Sequence, residues 1–182
     1  MAATEKKQMY VLSTADGVAP NIVTRKMAAS QGIFMPGAPC YVSTSGTVKL
    51  SDTADGTGDV HHGFIVGVVD KSTTWPVTAA LSANDEVRVQ LIDTADLYVV
   101  YVENNGSDSA AAQTIVGDQY GLTVSATAGE VGYTTMDLNN ANAVVEVIDI
   151  YSNLDPEKET TSTSPGRAVV RFLAANVNAT KA

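Results

Sequence analysis

The sequence predicts an all-β protein: one or two small antiparallel β-barrels or sandwiches with an extended N-terminal arm and at most one short helix. Three observations carry that expectation. Apolar and polar residues alternate over short runs bounded by Gly, Pro, Asn and Asp. Charged residues make up only 17% of the chain, so Thr, Ser, Asn and Gly must supply much of the polar surface, and these suit strands and turns better than solvated helices. Aromatics reach 6% against 45% hydrophobic, which leaves Val, Ile, Leu and Ala to fill the core. At 182 residues the chain is long enough for one domain or two small ones.

The elements follow from the punctuation. Residues 1–31 hold no sustained apolar period, and Asp16-Gly17 and Ala19-Pro20 break them twice, so the extended arm is expected there. A first β unit is expected over 32–94. Phe34-Met35-Pro36-Gly37-Ala38-Pro39 leads into a strand at Cys40-Tyr41-Val42. Ser43-Thr44-Ser45-Gly46 turns, and Thr47-Val48-Lys49-Leu50 returns with Val48 and Leu50 on one face. Phe64-Ile65-Val66-Gly67-Val68-Val69 is apolar on both faces, as a central strand is, and Gly67 marks a bulge or a close backbone approach. Glu86-Val87-Arg88-Val89-Gln90-Leu91 alternates with Val87, Val89 and Leu91 inward.

A second β unit is expected over 95–175. Leu97-Tyr98-Val99-Val100-Tyr101-Val102 is the strongest strand signal, ended by Asn104-Asn105-Gly106. Ser107-Asp108-Ser109 is suited to cap one helical turn through Ala110-Ala111-Ala112. Strands resume at 120–124, 131–135 and 144–150, and 155–165 reads as a polar, mobile loop. The closing strand, 166–173, turns Ala168, Val170 and Phe172 to one face and Arg167, Val169, Arg171 and Leu173 to the other. Its guanidinium groups can bridge to carboxylates on a neighbouring strand or on a partner chain. Coming last, it is placed to close a sheet or barrel against an earlier edge. Residues 176–182 read as a C-terminal tail. Gly37 and Gly117, Val68-Val69-Asp70 and Val147-Ile148-Asp149, and Val87-Arg88-Val89 and Val170-Arg171-Phe172 recur about 80 residues apart, which suggests two related units. The alternative is that small β domains reuse similar hairpins.

Charge narrows the function classes. The net charge is −9, but residues 1–30 set Lys6, Lys7, Arg25 and Lys26 against Glu5 and Asp16, a balance of +2 that leaves −11 for the rest. Such a body repels phosphates, so no nucleic-acid partner is expected, whereas the basic arm suits an acidic protein surface. The start lacks an apolar signal region and no run approaches a membrane span, so a soluble protein made in the cytosol with no membrane partner is expected. Cys40 is the only cysteine, which excludes an internal disulfide, and its apolar neighbours point to a buried thiol rather than a nucleophile.

No catalytic set assembles, and no enzyme is expected. The loop Asp52 to His62 offers Asp52, Asp55, Asp59, His61 and His62, but its spacing is not that of a calcium-binding loop, and adjacent histidines on an extended chain face opposite ways. It reads as a solvated turn, so neither a metal nor a cofactor is expected. Glu103, Glu130 and Glu146 are candidates for a carboxylate pair across a cleft, at a frequency chance explains with 20 acidic residues. Tyr98, Tyr101, Tyr120, Tyr133 and Tyr151 divide between core and subunit contacts in a way the sequence does not sort. No small-molecule substrate is implied.

Phe34-Met35-Pro36-Gly37-Ala38-Pro39-Cys40-Tyr41-Val42 with Gly46-Thr47-Val48, then 63–69 and 86–91, follow one another in an order that resembles the head decoration, or cement, proteins of tailed double-stranded DNA bacteriophages. The likeness spans roughly residues 32–173 and rests on composition and strand order, with no diagnostic motif. It implies a virion protein on the capsid exterior, a homo-oligomer with a trimer favoured, that clamps neighbouring major capsid subunits against internal pressure. Partner contacts are then expected from Lys6, Lys7, Arg25, Lys26, Arg167 and Arg171, with removal of residues 1–30 weakening capsid binding while leaving the β body folded. The alternative reading is a carbohydrate-binding or adhesion module of a virion or fibre, using Trp75 and exposed tyrosines.

Overall fold

Wherever β-branched and aromatic residues alternate between turn formers, the chain pairs into strands. The computed structural model describes residues 9–28, 31, 34–43, 45–50, 62–69, 85–124 and 134–177. In chain order the strands are β1 (Tyr10–Ser13), β2 (Ile22–Lys26), β3 (Ala38–Val42), β4 (Val48–Leu50), β5 (Gly63–Val68), β6 (Glu86–Leu91), β7 (Leu97–Asn104), β8 (Ser107–Asp108), β9 (Gln119–Val124), β10 (Thr134–Asp137), β11 (Val145–Ile150) and β12 (Arg167–Phe172).

The strands form two sheets, and each closes on itself. The first runs β2-β6-β5-β3-β4, with every strand pair antiparallel. Met27, just after β2, then bridges in parallel to Val48 of β4 and joins the ends. The second runs β7-β12-β11-β9-β10, again antiparallel, and β10 returns to β7 in parallel. β12 therefore pairs with β7 as well as β11, as its place at the end of the chain suggested. Both are five-stranded barrels with the same strand order and the same parallel closing pair.

The duplication extends to single residues. Met35 to Ala38 and Ile115 to Asp118 make the same turn, with Gly37 and Gly117 each at φ 89°, a conformation glycine adopts freely. Each closes with an N–H to carbonyl bond of 3.1 Å, from Ala38 to Met35 and from Asp118 to Ile115. The Gly37 N–H donates to the Ile65 carbonyl and the Gly117 N–H to the Val147 carbonyl, both at 2.8 Å. Ile65 and Val147 in turn sit at register shifts, Ile65/Gly67 in β5 and Val147/Asp149 in β11, so the bulge expected at Gly67 has a counterpart. The other two sequence correspondences move by a few residues. Ile65 rather than Val68 matches Val147, and Val89 rather than Val87 matches Val170.

Val87, Val89, Ile65, Cys40, Val48, Met27, Phe34 and Ala38 fill the first barrel, with Leu50 and Leu91 packed against them. Val100, Val102, Leu122, Met136, Val145, Val147, Ala168, Val170 and Phe172 belong to the core of the second. Phe64, on β5 of the first barrel, joins the second core, its ring 5.3 Å from Tyr98 and 5.4 Å from Phe172. The chain passes from one barrel to the other between Leu91 and Leu97, where the buried Asp96 carboxylate accepts the Ala15 N–H at 2.9 Å.

The N-terminal segment is extended, and it is woven into both barrels. β1 pairs with β7 and turns Met9 and Val11 into the second core; β2 is one of the five staves of the first. Removing residues 1–30 would therefore take one stave from the first barrel and strip the second of the strand that lies on β7, contrary to the expectation that the body would survive it. The helical turn expected at Ala110–Ala112 is displaced. Asn105 and Gly106, at φ 52° and 78°, form a tight hairpin that commits Ser107–Asp108 to pairing as β8, so they do not cap a helix. A 3-10 turn forms at Gln113–Ile115 instead, and the single α-helical turn among the described residues, α1, is Tyr151–Leu154. The 155–165 loop, expected to be mobile, is anchored by Glu159, which is 3% exposed. In the tail, Val177 packs on the second core; 178–182 lie outside the described residues.

Candidate partner-binding surface

Because β1 sends Met9 and Val11 inward, alternation sends Tyr10 and Leu12 outward. On β2 the inward position is Val23, which leaves Ile22 outside. The consequence is a concentration of exposed apolar surface. Of the five large hydrophobic side chains exposed among the described residues, Tyr10, Leu12, Val18 (62%) and Ile22 (53%) all fall within residues 10–22.

Cations lie beside Ile22. Arg25 and Lys26 are on β2, Lys26 across from Glu86 of β6, and the exposed Arg88 of β6 sits across from Thr24. None of the three is ion-paired with a described residue; the Arg25 Nη1 donates only to the Thr24 carbonyl, at 3.2 Å. On a chain of net charge −9, such unpaired cations beside exposed aliphatic groups make a surface suited to an acidic protein partner. Lys6 and Lys7 lie outside the described residues.

The two arginines of β12 find their carboxylates within the chain. Arg171 Nη2 donates to Glu146 Oε2 on β11 at 2.7 Å, an exposed cross-strand pair. The Arg167 backbone N–H and Nε both donate to the buried Glu159 carboxylate at 2.7 Å. The Arg167 guanidinium also lies 3.8 Å from the Tyr151 ring centroid and 5.8 Å from that of Tyr101. Tyr10 belongs to this group: burial, then the neighbouring Tyr151, raises its phenol above the ordinary value while Arg167 pulls it down. This knot holds β1, α1 and β12 together.

The Cys40 thiol is buried, with Sγ 3.4 Å from the Gly63 carbonyl, and desolvation pushes it far above the ordinary thiol range. His62 Nδ1 accepts the Val42 N–H at 3.0 Å, a structural role between β3 and β5. The rest of the Asp52–His62 loop, together with Trp75, Glu130 and Tyr133, lies outside the described residues, among which no cluster of metal-ligating side chains forms. Glu146 is held by Arg171, and Glu103 is buried on β7. Tyr98 is a core residue whose hydroxyl donates to the Asp93 carbonyl at 3.2 Å and accepts the Asp93 N–H at 3.0 Å; the Tyr120 hydroxyl donates to Asp118 Oδ2 at 3.2 Å. Sequence reasoning missed Ile22, Thr24, Arg88 and Glu159. A signal for the first two existed in Asn21-Ile22-Val23-Thr24-Arg25-Lys26, a short β-branched run after a Pro, but for Glu159 there was none.

Comparison with protein-family models and with curated proteins finds no match to this chain.

Proposed function

We propose that this protein is a virion structural protein of a tailed double-stranded DNA bacteriophage, bound to the outside of the head, where it clamps neighbouring major capsid subunits. The observation that carries this reading is that four of the five large hydrophobic side chains exposed among the described residues fall on residues 10–22 of an otherwise acidic body, with Arg25, Lys26 and Arg88, none of them ion-paired with a described residue, on β2 and the strand beside it. A shell protein presents a repeated surface, so weak contacts by each copy add through multivalency, and a homotrimer would bring three such surfaces to one position. The acidic remainder suits the exterior, away from packaged DNA.

The test is cosedimentation with expanded, DNA-free capsids. The full chain is expected to saturate the shell, and a form lacking residues 1–8, which spares β1 and β2, to bind roughly tenfold more weakly because it loses Lys6 and Lys7, each exposed ion pair contributing up to about 1 kcal/mol. Failure of the full chain to pellet with capsids refutes the proposal.

A further inference from the structure

The five staves of the two barrels repeat each other, but what lies along one edge differs among the described residues. In the second, the side of β7 away from β12 carries two strands: β10 pairs with Tyr101–Glu103, and β1 pairs antiparallel with Leu97–Val99. Matching Val89 to Val170 sets Val23 over Tyr98 and Ile22–Thr24 over Leu97–Val99, and Met27 over Val102, the two residues that meet the parallel closing strand. In the first barrel β4 takes the end of this edge, where the Ala28 N–H donates to the Val48 carbonyl at 2.8 Å. Along Ile22–Thr24 no described strand takes the place that β1 takes in the second.

Hydrogen-bond alternation fixes what that edge offers. The Leu91 N–H donates to the Asn21 carbonyl and the Met27 N–H to the Asp85 carbonyl, both at 2.8 Å. In this register Asn21, Val23, Arg25 and Met27 bond to β6, and Ile22 and Thr24 direct their N–H and C=O groups to the opposite side, where the Thr24 carbonyl accepts the exposed bond from Arg25 Nη1 that an added strand would replace. Side-chain burial agrees. Tyr98 and Val99 are fully buried under β1, whereas their counterparts Val23 and Thr24 are half-buried and exposed.

We infer that the β2 edge at Ile22–Thr24 accepts an extended acidic segment of the shell protein as an added antiparallel strand, with an aliphatic side chain over Val23 and carboxylates beside Lys26 and Arg88. The shell as source rests on the function proposed above. A second copy docking through the same edge is disfavoured, because it would bring Arg25, Lys26 and Arg88 of two chains together. β1 of another copy is already engaged with β7.

Amide hydrogen exchange tests the edge with a defined probe, the blocked peptide Glu-Glu-Thr-Val-Thr. In the full protein alone, Ile22 and Thr24 should exchange faster than Leu97 and Val99. Saturating peptide should slow them by roughly tenfold or more, whereas Lys-Lys-Thr-Val-Thr should not. Thr24→Pro, which removes a donor directed away from β6, and Arg88→Glu, which leaves the backbone intact, should each abolish the effect. Absence of protection, equal protection by the lysine peptide, or protection that grows with protein concentration alone would overturn the inference. Cosedimentation separates the two claims: capsids that bind neither form refute the shell reading, while capsids that bind wild type and both variants equally refute the acceptor edge.

Discussion

Phe64→Ala should weaken the whole molecule and uncouple its two barrels. Phe64 belongs by sequence to the first barrel, is 2% exposed, and contacts Tyr98 and Phe172 of the second. Loss of transfer free energy alone costs about 2 kcal/mol. The cavity left between two rings that cannot collapse raises the total to about 3–5 kcal/mol. Urea unfolding can be followed in the first barrel by exposure of the buried Cys40 thiol and in the second by near-ultraviolet circular dichroism, to which the core residue Tyr98 contributes. In the wild type both probes should report one transition. In the variant the midpoints should fall and separate, because each barrel closes its own sheet and loss of the shared aromatic contact leaves the N-terminal segment and the 91–97 connection to couple them. A loss below about 1 kcal/mol, with coincident transitions, would refute a junction at Phe64.

Three other outcomes follow from the same structure. Glu159→Ala leaves the Arg167 guanidinium, only 14% exposed, without its carboxylate, and should destabilise by about 3 kcal/mol in a thermal melt, whereas Glu146→Ala, facing the exposed Arg171, should cost less than about 1 kcal/mol. Burial raises the Tyr98 phenol above its ordinary value of 10.0, so the folded state holds that proton more tightly than the unfolded chain does; stability should be flat below about pH 10 and fall above it, and Tyr98→Phe should flatten that fall in urea titrations at several pH values. Cys40 should resist a thiol reagent at pH 8 in the folded protein and react at once in urea; fast reaction without denaturant would contradict its burial.

What the sequence made legible is what period two encodes. Val87, Val89 and Leu91, or Ala168, Val170 and Phe172, declare an inward face through composition alone, and both faces are where alternation put them. The repeat was visible through Gly37 and Gly117, since a turn needing positive φ leaves a glycine behind. Its finer register was not, because bulges at Ile65 and Val147 shift the strands without leaving a residue type that marks them. The N-terminal strands were missed as strands because each is only four or five residues long and owes its pairing to a partner far along the chain: β1 to Val99, β2 to Val89. The candidate partner surface was half legible. Arg25 and Lys26 stood out as charges, but Arg88 looked like one more polar position, and Arg167 looked free until Glu159 was brought under it by the fold.

The most direct measurement of the proposed function is an electron cryomicroscopy reconstruction of expanded phage heads incubated with the protein. The account predicts density for two five-stranded barrels outside the shell, with Ile22, Thr24 and Arg88 against the capsid protein and a strand of that protein running beside β2. Density inside the shell, or barrels seated with the β2 edge pointing into solvent, would contradict it.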